Sequence, residues 1–458
     1  MLDRNFRPSS PAPAGSSWVL DYRFSALIIG MVWLQMFYMS AAFPWLVPML
    51  RPIKLGLIAA SGLLILWRSG LSWLLLRNLN PGLIALFGLA WLSAVWSIDR
   101  GLTINRMIGF TSLLMTCFAF GLVSWQRDKL QKIALPMLTG VLLLSIAYYF
   151  LDRNLVVEEG DTLSLSGAWR GITYQKNSFG QIAAFAVILW FHRWLGRSHR
   201  TLPVLIGFGI SFMCLILSKS STSLLSTILA LMFLLLLLRS PPNLQRWMPI
   251  IVTAFSLLVI TYSTAVLKVV PGLEALLTPI TLVTGKDTTF SDRSVIWEIV
   301  RGHIAFAPML GTGYAAYWAG PEIPWSPSFV FYAKMYFYPG QSHNGYIEMI
   351  NDLGYVGLCL LAVFLYYFVR QSLEVLRIDR FQGALYLSLF FMQAMTNLSQ
   401  SIWFQHHSLE WVMMMFASVA LARTLLEHKL RGVYGGGTEV PAGLQAGVSP
   451  LHWQNRIR

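Results

Sequence analysis

Apolar runs of about 20 residues, separated by short polar turns, recur along almost the whole chain. A run of about that length is what an α-helix needs to cross the hydrocarbon core of a bilayer. The pattern predicts about twelve spans, beginning near Phe24, Ile53, Pro81, Ile104, Ile133, Ser178, Leu202, Thr222, Met248, Leu353, Phe381 and His406. Lys and Arg punctuate the turns unevenly. With both termini inside, the inner turns hold Arg68 and Arg77, then Arg127, Lys129 and Lys132, then Arg193, Arg197 and Arg200, then Arg239 and Arg246, and lastly Arg370, Arg377 and Arg380. Short outer turns hold only Arg51, Lys54, Arg100, Arg106 and Lys219. Cations gather on the cytoplasmic side of membrane proteins, so both termini are expected in the cytoplasm, in keeping with an even number of spans.

Two longer polar segments break this rhythm, at about 152–177 and 268–345, and the same topology puts both outside. Loops longer than about 12–15 residues are usually functional or disordered. The second is too aromatic for disorder: Trp318, Trp325, Phe329, Phe331, Tyr332, Tyr336, Phe337 and Tyr338 lie close together in it. An interfacial belt and a sugar-stacking surface are both open readings of that stretch. Residues 1–23 read as a cytoplasmic tail rather than a removable signal, because no small-residue cleavage site follows an early apolar core. Residues 24–433 form a single membrane-embedded unit, and the Gly- and Pro-containing stretch 434–458 is a flexible cytoplasmic tail.

Composition sharpens the picture. Of the 458 residues, 56% are hydrophobic and 12% charged, with a mean hydropathy of +0.59, against roughly 45–50% and 25% in soluble domains. The fold class is therefore all-α and polytopic. The net charge of +14 does not imply nucleic acid, because the cations form topology signals and not a binding stripe. Cys117, Cys214 and Cys359 fall inside apolar runs without metal-ligand spacing, which suits small core side chains. A transporter would place charges mid-membrane and show related halves, whereas the polar interest here is concentrated in the outer loops.

Four short segments carry candidate chemistry. Where the large loop re-enters the membrane, His343 and Asn344 are followed by nine residues and then Gly354 and Gly357. An imidazole at the mouth of a helix sits at the positive end of the dipole, which favours the neutral form and suits a general base. A lone His there more often caps the helix. The two glycines, one turn apart, are expected to admit a neighbouring helix closely. Upstream, Gly167–Gln181 reads GAWRGITYQKNSFGQ, with Arg170 and Lys176 near the outer face. Gly285–Val300 reads GKDTTFSDRSVIWEIV, with Arg293 and Trp297, and Leu310–Trp318 reads LGTGYAAYW. Arg170 and Arg293 could also simply meet lipid headgroups or an exposed acid, and Lys176 could snorkel.

The pattern H-N-x9-G-x-x-G after a large outer loop resembles that of the O-antigen ligase and O-antigen polymerase superfamily. The segments around Arg170 and Arg293 are most similar to its ExoQ-type exopolysaccharide polymerases. Ser291, Asp292, Arg293 and Ser294 stand where the family has T-G-R-T, and Asp292 departs from it. Ser218–Thr222 reads S-K-S-S-T where the family often has S-x-S-[KR]-T, its cation two positions after Lys219, so either Lys219 serves instead or the contact is absent. Gln400 stands where members often carry an acid.

The resemblance implies a GT-C-like membrane glycosyltransferase of the bacterial inner membrane, with its site facing the periplasm. Its donor would be a glycan on undecaprenyl pyrophosphate and its acceptor a lipid-linked glycan or lipid A-core. Membrane lipids, a chain-length regulator and a flippase are the further partners implied. Such a donor carries its own driving force in the sugar–phosphate bond. His343 would deprotonate the acceptor, while Arg293 and Arg170 would hold the departing pyrophosphate, as permanently charged bidentate donors suit. Lys176, Asn344, Lys219 and Trp297 are the expected substrate-binding residues. The outer loops show no carboxylate pair or His cluster suited to a metal, so an inverting reaction without metal or other cofactor is expected. Polymerase is the favoured role, with ligase as the alternative and a non-enzymatic transporter or flippase as the alternative of another class.

Overall fold

The structure is a computed structural model that describes residues 47–123, 125–158, 167–173, 175–196, 201–239, 247, 250, 291–320, 327–336, 338–405 and 408–434. Helices α1 (Val47–Trp67) and α2 (Ser69–Asn78) meet at a 100° bend. They are followed by α3 (Pro81–Leu92), α4 (Arg100–Leu122), α5 (Lys129–Leu151) and the single turn α6 (Arg153–Val156). A two-residue hairpin pairs β1 (Val157–Glu158) antiparallel with β2 (Ala168–Trp169), setting Val157 opposite Trp169. Then come α7 (Lys176–Leu195), α8 (Thr201–Leu217), α9 (Ser221–Arg239), α10 (Ser291–Ile304) and α11 (Ser328–Met335). The chain ends in α12 (Gly345–Ile378), α13 (Arg380–Thr396) and α14 (Leu409–Tyr434).

A helix stands where the apolar runs predict spans near Ile53, Pro81, Ile104, Ile133, Ser178, Leu202, Thr222, Leu353, Phe381 and His406. The expected spans near Phe24 and Met248 lie outside the described residues, as do 1–46 and 435–458. Among the described residues, five helices are long and apolar enough to cross a membrane, or six if the bent pair is one span. That accounts for only five or six of the ten expected spans that fall on described residues. The reason is physical: α3 and α8 are apolar but short, while α7 and α13 carry buried polar residues such as Gln181, His192, Gln382 and Gln393.

The core runs along α14, whose residues from Leu409 to Leu426 are buried nearly all round, and along the equally enclosed α7. A helix apolar on every face belongs inside a bundle. Lipid tails are as apolar as leucine, so packing and interhelical hydrogen bonds, not water exclusion, hold such helices together. Close approach is visible at Gly82, where an added Cβ would fall 2.3 Å from the Phe364 backbone nitrogen of α12. At the same crossing Asn80 caps α3 through Gly82 N and donates its amide to Phe364 O at 2.8 Å. Gln181 of α7 donates to Ser223 of α9 and Thr396 of α13, each at 3.1 Å.

One break positions the site. Gly354 interrupts α12 at φ 66°, ψ −168°, a region open essentially to glycine. A Cβ there would lie 2.2 Å from the carbonyl of Met309. Tyr355 N and Val356 N donate to Pro308 O and Met309 O, at 2.8 and 3.1 Å. Thr312 N and Gly313 N donate to Asn351 O and Asp352 O across the same break, at 3.2 and 3.0 Å. The Gly-rich turn 310–318 is thus docked on the kink backbone to backbone. The expectation that Gly354 and Gly357 admit a neighbouring helix needs correction. Gly354 admits the turn, and a Cβ at Gly357 would meet Leu353 of its own kinked helix at 2.4 Å.

Candidate active site

His343 lies just ahead of α12 in a left-handed backbone conformation, φ 52°. Asn344, not His343, is the helix cap: its Oδ1 accepts from Tyr346 N and Ile347 N at 3.0 and 3.1 Å. Its Nδ2 donates to Leu398 O at 3.2 Å, and its backbone N donates to Ser401 Oγ at 3.1 Å. Asn344 was expected to bind substrate; its side chain is buried and engaged by the protein. Gly345 N donates to Asn397 O at 2.9 Å, while Asn397 Oδ1 accepts from Ile402 N and Trp403 N. The His343 loop and the 397–403 segment after α13 are therefore laced together.

Helix α10 supplies the other wall. Arg293 and Trp297 are four residues apart and so share a helix face. Trp297 is buried and donates Nε1–H to Ser342 O at 2.9 Å, which fixes the peptide before His343. The side chains of Ser291, Asp292 and Ser294 lie outside the described residues. Trp297 belongs to a small core with Ile296, Val300, Tyr317, Trp318, Phe331 and Ile347, which ties part of the aromatic stretch to the site.

The electrostatics of His343 follow from this enclosure. The residue is partly exposed, but its Nδ1 is covered and meets no hydrogen-bond acceptor or donor among the described residues. Burial, helped by the nearby Arg293 guanidinium, pushes the imidazole down from its usual 6.5 to about 3, while the Gln400 side chain opposes the shift. The site thus joins three positions that the sequence treats separately: His343, Arg293 and Gln400. Nearby, His303 Nδ1 pairs with Asn351 Oδ1 at 2.9 Å and its ring lies 4.1 Å from that of Tyr317. Burial lowers the His303 pKa and raises that of Tyr317.

The remaining expected residues lie around the hairpin and the start of α7. Arg170 donates through Nε to Leu155 O and through Nη2 to Asn154 O, both at 2.9 Å, which clamps the hairpin onto α6. These contacts engage Arg170 with 154–155 and not with His343. Lys176 opens α7, its backbone N donating to Glu158 Oε1 at 3.0 Å. Lys219 is exposed at φ 49°, and its Nζ would lie 3.6 Å from a Cβ at Gly167. Gln341 Nε2 donates to Gln175 Oε1 at 3.3 Å, linking the approach to His343 with the approach to α7. Among the described residues no group of three or more His, Cys, Asp or Glu side chains gathers to hold a metal.

Sequence reasoning missed Glu348, Ser401 and Asn397. Glu348 is buried beside Ser342 and Ser401, its Oε2 accepting from Ser342 N at 2.7 Å and from Ser401 Oγ at 3.1 Å. An acid within an apolar run is itself a signal, because ionisable residues in such runs are costly and rarely idle. Asp352, one turn further, is buried too but meets the backbone of Ala315 in the Gly-rich turn.

Stacked apolar helices with a polar centre at one end define a multi-pass membrane protein. The profile of the Wzy_C family, O-antigen ligase, matches residues 206–362, from α8 to just past the kink of α12. The match takes in Lys219, Arg293, Trp297 and His343, covers about a third of the chain, and supports the resemblance to the O-antigen ligase and polymerase superfamily. Arg170 and Lys176 lie outside the matched segment. No curated protein matches the chain. Members of the family are membrane enzymes that act on glycans.

Proposed function

We propose that the protein is an inverting glycosyltransferase that polymerises undecaprenyl-pyrophosphate-linked oligosaccharide repeats at the periplasmic face of the inner membrane. The observation that carries this reading is the juxtaposition of His343, neutral by burial, with Arg293. An acceptor hydroxyl gives its proton to His343 as its oxygen bonds to the anomeric carbon. The bond from that carbon to the pyrophosphate oxygen breaks, and undecaprenyl pyrophosphate departs. Charge grows on the leaving group, and Arg293 stabilises it; one well-placed donor of this kind is worth roughly 3–4 kcal/mol. A single displacement inverts the anomeric centre.

An imidazole near 3 is a weak base, and donor binding offsets the smaller part of the depression, the part due to Arg293, while burial keeps the value below 6.5. The pyrophosphate brings negative charge beside Arg293, cancels its repulsion and makes the imidazole more basic when the donor is present. Lys176 and Lys219 add positive charge where the lipid-linked phosphate approaches. Arg170 shapes the hairpin beside α7 and keeps its remaining guanidinium nitrogen for the same anion.

A second reading, ligation of the glycan to lipid A-core, is favoured by the description of the matching family as O-antigen ligase. It uses the same donor and base and differs only in the acceptor. Purified protein in nanodiscs, given lipid-linked donor with either lipid-linked repeat or lipid A-core, separates the two. Elongation of the repeat supports polymerase, transfer to lipid A-core alone supports ligase, and transfer to neither overturns both.

A further inference from the structure

Glu348 takes no part in the chemistry above, yet the His343 loop is gathered on its carboxylate. Its Oε2 accepts from Ser342 N at 2.7 Å, and the Ser342 hydroxyl lies within reach of the same oxygen. Ser401 Oγ, 3.1 Å from that oxygen, accepts from Asn344 N at 3.1 Å. The two hydroxyls are themselves 3.0 Å apart. The peptide N–H groups on either side of His343 therefore end on one carboxylate oxygen, directly at Ser342 and through one serine at Asn344.

His343 needs such a hold. At φ 52° it occupies a region that side-chain-bearing residues seldom enter and keep only when their surroundings over-determine it. Relaxation of the loop would swing the imidazole away from Arg293. Ser401 also follows directly on Gln400, so the same carboxylate fixes the segment whose amide lies against the ring. The position suits a hydrogen-bond acceptor: Glu348 is in the first turn of α12, and its hydrogen bonds to Ser342 and Ser401 replace those of water. Packing alone would be met by an apolar side chain. An acceptor oxygen is required to collect several donors at one point.

We propose that Glu348 is a positioning residue that, through Ser342 and Ser401, locks His343 in its left-handed conformation facing Arg293 and Gln400. The catalytic half of this inference rests on His343 being the base. Misplacing a catalytic group by an ångström costs about 10²-fold in rate, so Glu348→Ala should lower kcat by about that factor with little change in KM. Glu348→Gln keeps an acceptor oxygen and should recover most of the loss. Ser401→Ala removes the serine arm that joins Asn344 to the carboxylate but leaves Ser342 N on it, and should fall between wild type and Glu348→Ala.

The structural half has its own readout, the ring resonances of ¹³C,¹⁵N-labelled His343, assigned by their disappearance in His343→Gln. They should move in Glu348→Ala and return towards wild type in Glu348→Gln. Unchanged resonances and unchanged kcat in folded Glu348→Ala would overturn the proposal. Should that variant fail to fold, Ser401→Ala with wild-type kcat and wild-type resonances overturns it equally. If His343→Gln is active, the base assignment fails, while the resonance shifts still decide whether Glu348 sets the conformation of His343.

Discussion

His343 and Asn344 divide labour that a sequence cannot apportion. The amide side chain caps α12, which frees the imidazole from capping and leaves it within reach of Arg293's charge. The motif made the residue legible, but its partners come from α10 and from the segment after α13, and no spacing rule links them. Two predictions belong at this scale. NMR titration of His343 should find a pKa near 3, and Arg293→Ala should raise it. The sign follows from Coulomb's law: removing a neighbouring cation eases protonation, while burial still keeps the value below 6.5. Wild-type activity should accordingly hold steady as pH falls through 6.5, where an exposed imidazole would lose half its base form. Arg293→Lys should be much weaker than wild type, because an ammonium cannot make the planar two-point contact with phosphate. Asp292→Gly should preserve or raise activity if Asp292 only occupies Arg293; a loss would show that Asp292 does something more.

At the scale of elements, the kink of α12 and the Gly-rich turn form one unit. The apolar runs located the helix, and the pair Gly354 and Gly357 marked something unusual in it. They did not reveal what approaches, because a glycine that admits a loop and one that admits a helix look the same in sequence. The left-handed φ at Gly354 and the Met309 carbonyl beside it decide the matter. Gly354→Ala should destabilise the protein by roughly 1–3 kcal/mol from backbone conformation alone, with more from the clash, read as a lowered midpoint in thermal unfolding in detergent. Gly357→Ala must displace Leu353 Cβ, 2.4 Å away, but Gly357 has no left-handed φ, so it should cost less. Equal losses would contradict this picture. Trp297→Phe keeps the ring but removes the bond to Ser342 O, and should reduce turnover more than it reduces stability.

Across the whole molecule, charge bias and apolar runs sufficed for the class of protein and for most helix positions, since bilayer thickness constrains both. Glu348 escaped notice because its role depends on serines 6 residues before it and 53 after it. The proposed topology puts Arg170, Arg293 and His343 on one side of the membrane. Impermeant thiol labelling of single cysteines in the 152–177 and 268–345 loops should succeed for both in outer-membrane-permeabilised cells. Cys359, the exposed native thiol, must be replaced first.

The most direct measurement is turnover per folded molecule of His343→Gln, with purified lipid-linked donor and acceptor in nanodiscs. Glutamine can hydrogen-bond but cannot take the proton, so the account expects a loss of about 10²–10⁴-fold with normal insertion and thermal stability. Turnover within about threefold of wild type would contradict it, removing His343 from the proton transfer on which the general-base mechanism depends.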